Sequence, residues 1–142
     1  MAFSGYLIKV CSIEDGTYAE VLPKYIRAET YNVTPNQRMD WSAERDVNGY
    51  LHRETVANKP PKIEFETPMM TNTEISALNA IFSGAFSDSS QRKLWVQYYD
   101  PETNDYKRHE CYMPDVKYPI RNIDAINNII NYEQIRYAFI GY

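Results

Sequence analysis

The sequence predicts a mainly β protein, a β-sandwich or partly open barrel with one α-helix packed outside. Two observations support this prediction. Short segments that alternate apolar and polar residues, rich in β-branched and aromatic side chains, recur along the chain, and one segment has a clear helical period. No internal repeat of about 20–50 residues is visible. We therefore expect residues 1–142 to form a single domain.

The clearest strand pattern is a long aromatic hairpin at residues 93–115. Leu94, Val96 and Tyr98 alternate with residues that point to the opposite face, as in a half-buried strand. Asp100-Pro101 ends this first strand, because proline donates no backbone hydrogen bond, and a return strand follows.

Other segments are predicted to be extended, and the last of them carries Ile135, Tyr137 and Phe139 on one face. These segments are residues 6–12, 25–33, 62–67 and 132–142. The closing strand is expected to pair with another strand, because its backbone groups need partners.

One helix is predicted over residues 71–86, and it is expected to cover one side of a sheet. Thr71 and Glu74 have the spacing of a capping box, in which each side chain accepts a backbone hydrogen bond. The apolar residues that follow form one stripe with a period of about 3.6 residues. They are Ile75, Leu78, Ile81, Phe82 and Phe86.

Residues 116–131 are ambiguous. Ile123, Ile126, Ile129 and Ile130 fit one face of a short helix that begins near Asp124. Isoleucine and asparagine are weak helix formers, however, so an extended loop with a helical turn fits as well.

A second hairpin is predicted at residues 38–56, with a type I′ turn at Asn48-Gly49 in which both residues take positive φ. Its strands are polar on both faces, and an isolated two-stranded hairpin is marginally stable in water. It either projects and finds burial against another chain, or it is a solvated surface hairpin without a partner.

The composition excludes several classes of protein. The formal net charge of -4 without long charged runs argues against non-specific nucleic-acid binding. Cys11 and Cys111 are expected to be free thiols. The chain has no apolar run of about 18 residues and no secretory signal, so we expect no membrane span and synthesis in a reducing cytoplasm.

No catalytic constellation is present, so we expect neither an enzyme nor a cofactor. His109 and Cys111 share a strand face, but a structural zinc site needs about four ligands, so no metal site is predicted. The carboxylates of Glu64 and Glu66 are expected to face solvent, and those of Asp100, Glu102 and Asp105 cluster in a turn. No nucleophile elbow and no glycine-rich phosphate loop occurs.

The best alternative to an assembly protein is a β-sandwich module that binds a glycan or peptide through aromatic side chains of one hairpin. Half of these aromatic residues are expected to belong to the core. The candidates are Trp95, Tyr98, Tyr99, Tyr106 and Tyr112.

Several motifs, in order, resemble small tail proteins encoded by phages and prophages of Gram-positive bacteria. They are DVNGYLHR at residues 46–53, KIEF at 62–65, TEI with later Leu78 and Phe82 in the helix, V-x-YYDP at 96–101, and CYMPD at 111–115. The resemblance covers residues 24–142.

The resemblance implies a tail-tube-like fold, in which two sheets pack with a helix outside, and a non-enzymatic virion structural protein. Such proteins form rings, often hexamers, in the tail tube or at its distal, baseplate-proximal end. The implied partners are copies of this chain and other tail proteins, and the implied location is the virion tail, after synthesis in the host cytoplasm. The residues expected to shape the assembly hairpin are Trp41, Arg45, Asn48, Gly49, Tyr50 and Arg53.

Overall fold

The computed structural model describes residues 3–142, and strands dominate it, so the predicted mainly β class is confirmed. One α-helix in this range, α1, spans Asn72–Ala85. In chain order, strands β1 to β12 span Ile8–Cys11, Ala19–Val21, Asn32–Thr34, Asp40–Arg45, Leu51–Thr55, Lys62–Glu66, Met70–Thr71, Lys93–Asp100, Asp105–Tyr112, Ile120–Asp124, Ile129–Tyr132 and Arg136–Gly141.

The body of the molecule is a seven-stranded antiparallel sheet with strand order β2-β1-β8-β9-β12-β6-β3. A three-stranded sheet has the order β10-β11-β7, and β4 pairs with β5 alone. Among residues 3–142 no sheet closes into a barrel. No helix in the described part of the chain is both long and apolar enough to cross a membrane.

The core lies between α1 and one face of the seven-stranded sheet. Ile75, Leu78 and Phe82 of the predicted helical stripe are buried, whereas Ile81 and Phe86 are only half-buried at its margin. The Phe82 ring lies 5.2 Å from the ring of Tyr137. The predicted capping box is present, with the Glu74 carboxylate accepting a hydrogen bond from the Thr71 N–H.

The predicted closing strand is confirmed as β12, which lies between β6 and β9 within the large sheet. Ile135, Tyr137 and Phe139 are fully buried. The strand begins at Arg136 rather than at Tyr132, because Tyr132 ends β11 and belongs to the small sheet.

The aromatic hairpin is also confirmed, as β8 and β9, paired from Lys93 with Tyr112 to Asp100 with Asp105. Leu94, Val96 and Tyr98 point into the core, as the alternation predicts.

The prediction of an extended run at residues 25–33 is wrong over most of its length. Two 3-10 turns, Pro23–Tyr25 and Ala28–Thr30, precede the short edge strand β3. The side-chain oxygen of Thr30 accepts a hydrogen bond from the Glu66 N–H at 2.9 Å and donates one to the Arg27 carbonyl at 2.6 Å. These bonds hold the turns against the end of β6, where a straight strand would lose them.

Residues 116–131 form neither of the two predicted alternatives but a β-hairpin, β10 and β11, with a bulge between Ile120 and Asn122. The Asp124 carboxylate accepts hydrogen bonds from the backbone N–H groups of Ile126 and Asn127, which turns the chain. Asn128 has a φ of 56°, a conformation that asparagine tolerates better than most residues.

Candidate assembly surfaces

Residues 38–55, here called the arm, form a hairpin that projects from the body. Every residue of the arm is exposed on both faces. Strands β4 and β5 pair with each other and with no further strand of the described chain. The arm therefore receives no burial from its own chain, which is compatible with both of the sequence-based alternatives.

The tip of the arm differs from the predicted type I′ turn. Gly49 has a φ of 80°, whereas Asn48 keeps a negative φ. The Gly49 N–H donates to the Asp46 carbonyl at 2.9 Å, and the Asp46 N–H donates to the Tyr50 carbonyl at 2.9 Å. This is a three-residue hairpin loop with glycine at its left-handed position, so only one residue of the Asn-Gly pair needs positive φ.

Asp46, which the sequence reasoning missed, organises the tip. Its Oδ1 accepts hydrogen bonds from the N–H groups of Asn48 and Tyr50 at 2.9 and 3.0 Å, and its Oδ2 lies 3.0 Å from His52 Nε2. The hydrogen bond with His52, followed by those from the backbone, lowers the pKa of the Asp46 carboxyl. An aspartate ahead of a turn is the signal that could have predicted this role, because its side chain satisfies nearby amides.

The six residues predicted to shape the assembly hairpin all lie on the arm. Arg53 binds Asp40 through two guanidinium nitrogens, with Nη2 2.8 Å from Oδ1, and Arg45 donates to the Gly49 carbonyl at 2.9 Å. These contacts fix the hairpin internally. Trp41 and Tyr50 are 77% and 69% exposed, so their rings are available to a partner.

The base of the arm is attached to the large sheet at two prolines. Gln37 N–H donates to the Pro60 carbonyl at 3.0 Å, and Gly141 N–H of β12 donates to the Pro61 carbonyl at 2.9 Å. A Cβ added at Gly141 would lie 2.6 Å from Pro61 Cδ and 2.9 Å from Pro60 Cβ. The close approach anchors the arm at one end of the body.

The aromatic residues of β8 and β9 divide between two faces. Tyr98 is buried in the core, where burial raises its pKa to about 12, so it cannot belong to a binding platform. Tyr106 stacks on Tyr6 with ring centroids 4.4 Å apart and meets Tyr99 edge-on at 5.7 Å. The outer face of the sheet thus retains four half-buried rings: Trp95, Tyr99, Tyr106 and Tyr112.

A family model with the description "Family of unknown function (DUF6711)" matches residues 1–142. The chain belongs to this family. No curated protein matches the chain.

His109 and Cys111 do not form a reactive pair. His109 Nε2 is 2.9 Å from the Tyr142 carbonyl oxygen, and burial raises the pKa of the fully buried Cys111 thiol to about 12. Among residues 3–142 no group of three or more His, Cys, Asp or Glu side chains is arranged to hold a metal ion. Both cysteines are free and buried, as expected.

Three of the acidic residues named from the sequence, Glu64, Glu66 and Asp100, form salt bridges. Glu64 pairs with Arg136, and Glu66 lies 3.9 Å from Arg27. The buried Asp100 carboxylate binds Lys107 at 2.9 Å.

Proposed function

We propose that this protein is a non-enzymatic virion structural protein, a tail or baseplate-hub ring component that acts by self-assembly and by docking to neighbouring tail proteins. The observation that carries the proposal is the arm, because it is a folded hairpin whose residues are all exposed. Two-stranded hairpins are marginal in water unless another surface buries them.

The exposed side chains of the arm are of the kind that protein interfaces bury. Tyrosine, tryptophan, methionine and arginine are enriched in interfaces, and tryptophan, tyrosine and arginine dominate their binding energy. The arm exposes Met39, Trp41 and Tyr50 by 70%, 77% and 69%. A solvated hairpin without a partner would gain nothing from these large side chains.

The place of assembly comes from the resemblance to small phage tail proteins. It supports a ring, such as a hexamer, within the virion tail, and the mainly β fold with one helix is compatible with a tail-tube-like domain. The formal net charge of -4 would suit a tube whose lumen must let DNA slide without adhering. Other tail proteins would then meet the ring at its two ends.

Deletion of residues 46–51 tests the proposal. We expect a folded monomer with the circular dichroism spectrum of a β protein that no longer forms rings, because the deletion removes the tip together with the exposed side chains of Val47, Tyr50 and Leu51. Trp41→Ala is the milder variant, and Ile13→Ala, at a side chain 61% exposed outside the arm, is its control. Light scattering and electron microscopy of the concentrated protein report assembly, and unchanged assembly of the deletion variant would refute the role of the arm.

A glycan- or peptide-binding module remains the second candidate because four aromatic rings share the outer face of β8 and β9. Trp95→Ala would abolish binding on a glycan array if this candidate were correct. Ring formation would be unaffected by the same substitution, so the two functions are separable in one variant.

A further inference from the structure

The hairpin of β10 and β11 exposes a second apolar surface, here called the isoleucine face. Its members, with their exposed fractions, are Met69 52%, Tyr118 40%, Ile120 53%, Ile123 65% and Ile126 92%. One of the two sequence-based alternatives placed Ile123 and Ile126 on one face of a short helix. The structure places them instead on a hairpin that the rest of the described chain leaves uncovered.

The isoleucine face is a continuation of the protein core. Across the small sheet, the buried Met70 pairs with Tyr132, and Tyr132 pairs with Ile120. In the next row Ile130 pairs with Ile123 on the same face. An apolar row thus begins under α1 and runs outward until its last side chains lie in solvent, which is the arrangement of a surface meant to be completed by another molecule.

The arm and the isoleucine face lie at opposite ends of the body. Strands β6 and β12 pair over five residues, from Lys62 with Ile140 to Glu66 with Arg136, about 14 Å along the strands. The arm joins the chain just before Lys62, and the small sheet joins it after Glu66 and before Arg136. The exposure of both surfaces shows that the arm does not fold back onto the isoleucine face of its own chain.

We propose that the arm of one copy docks on the isoleucine face of the next copy. This inference rests on the proposed function and names the two surfaces that meet. Because the surfaces differ and lie at opposite ends, the contact is heterologous, and such head-to-tail contacts close into rings when the rotation between copies permits. The occupant is a second copy because each chain carries one of each surface.

Charge supports this pairing. Glu44 and Glu54 lie on one face of the arm, as their cross-strand pairs show, and within residues 3–142 neither forms a salt bridge. Arg121, in the bulge of β10 next to Ile120, contacts Met69 Sδ and has no carboxylate partner in the described chain. An unpaired arginine beside the isoleucine face thus matches the two unpaired glutamates on the arm.

Cross-linking tests the contact directly. Trp41→Cys and Ile123→Cys proteins are mixed at high concentration and treated with a short bismaleimide, the native cysteines being buried. We expect cross-linked dimers that contain one chain of each variant. Ile13→Cys, at a position with 61% exposure against 65% for Ile123, replaces Ile123→Cys in the control. Equal cross-linking with the control, or Trp41→Cys linked only to itself, would overturn the pairing.

Self-association of single variants separates this inference from the proposed function. We expect Ile123→Asp to weaken ring formation at least about tenfold, because the docked isoleucine would be buried, whereas Ile13→Asp leaves it unchanged. Arg121→Glu should weaken ring formation, whereas Lys117→Glu should leave it unchanged. Adding Glu44→Lys and Glu54→Lys to the Arg121→Glu protein should restore its ring formation.

If deletion of residues 46–51 abolishes rings but Ile123→Asp behaves like Ile13→Asp, the arm docks elsewhere, and the inference fails while the proposed function stands. If the deletion variant assembles like the unmodified chain, the assembly role of the arm fails as well. A chain that gives no cross-linked species at its highest soluble concentration would also overturn the pairing.

Discussion

The tip of the β8–β9 hairpin carries a buried carboxylate whose dependence on one lysine can be measured. Asp100 is 0% exposed and binds Lys107 Nζ at 2.9 Å, the Glu102 N–H at 2.9 Å and the Thr103 hydroxyl at 3.2 Å. We consider Lys107→Met, which keeps most of the aliphatic stem and removes the ammonium group.

The expected loss of stability depends on the difference in burial between Asp100, which is buried, and Lys107, which is partly exposed. Removing one partner of a fully buried ion pair costs about 3–5 kcal/mol, because the other charge stays buried without compensation. The Lys107 side chain is 42% exposed, so water already screens part of the attraction. We therefore expect the free energy of unfolding to fall by about 2 kcal/mol at pH 7.

The reverse substitution should cost less. Asp100→Asn removes the charge but keeps an oxygen that accepts from the Glu102 N–H, and Lys107 can extend into water. A charge-assisted hydrogen bond is then exchanged for a neutral one, which costs about 1 kcal/mol. Lys107→Met is thus predicted to be the more damaging of the two changes.

The pH dependence gives a second signature. Burial raises the pKa of the Asp100 carboxyl, but the hydrogen bonds from Lys107, Glu102 and Thr103 outweigh it and hold the pKa below its ordinary value. A depressed pKa in the folded state stabilises the protein above the unfolded pKa of about 3.9, and this contribution is lost as the pH falls. Without Lys107 the carboxyl is protonated more easily. The difference in stability between the two proteins should therefore shrink as the pH falls from about 4 through the depressed pKa of the unmodified protein.

Urea unfolding followed by tyrosine and tryptophan fluorescence at several pH values measures both effects. Lys117→Met is the control, because Lys117 is exposed and forms no salt bridge within residues 3–142. A difference between the unmodified protein and Lys107→Met that stays constant from pH 7 to acid, or that is no larger than for Lys117→Met, would refute the reasoning.

Two further predictions concern packing and thiol reactivity. Gly141→Ala should lower the free energy of unfolding by about 1–3 kcal/mol, because the new Cβ meets two rigid prolines. Gly84→Ala lies in a helix with no atom beyond its chain neighbours and the helix backbone within 4 Å of the new Cβ, so it should raise the free energy of unfolding by about 0.5–1 kcal/mol. Equal urea midpoints for the two variants would contradict this prediction. Cys111 should resist iodoacetamide in the native protein, because burial raises the pKa of its thiol to about 12. It should react once urea unfolds the protein. Rapid labelling of Cys111 in the native protein, detected by peptide mapping, would contradict this prediction.

The elements that could be predicted from sequence are those whose local signals agree with their tertiary setting. The alternation of Leu94, Val96 and Tyr98 matches a strand with one covered face, and the Thr71–Glu74 capping box with its apolar stripe matches a helix on that face. The exposed arm follows from its polarity, since strands without an apolar face have nothing to bury on their own chain.

The errors arise where long-range contacts decide the conformation. The turns at Pro23–Tyr25 and Ala28–Thr30 depend on hydrogen bonds to Glu66, which is distant in sequence. The hairpin of β10 and β11 pairs with a two-residue strand, Met70–Thr71, which is too short to show the alternation of apolar and polar residues that predicts a strand. The β-branched residues of 120–130 were the available signal, because isoleucine favours strands over helices.

The separation between the core and the arm predicts that the chain folds before it contacts a partner. The helix–sheet core buries Phe65, Phe82, Tyr137 and Phe139 almost completely, whereas the arm contributes no buried side chain. We therefore expect the monomer to fold before it meets a partner, with the arm ordered by its own backbone pairing and the Arg53–Asp40 salt bridge. Under the proposed function, docking would add only the burial of the arm's exposed side chains. Substitutions on the arm should then change self-association without changing the urea midpoint, while substitutions in the core should change the midpoint first. Under the proposed function, this division would let each chain complete its fold before a ring forms.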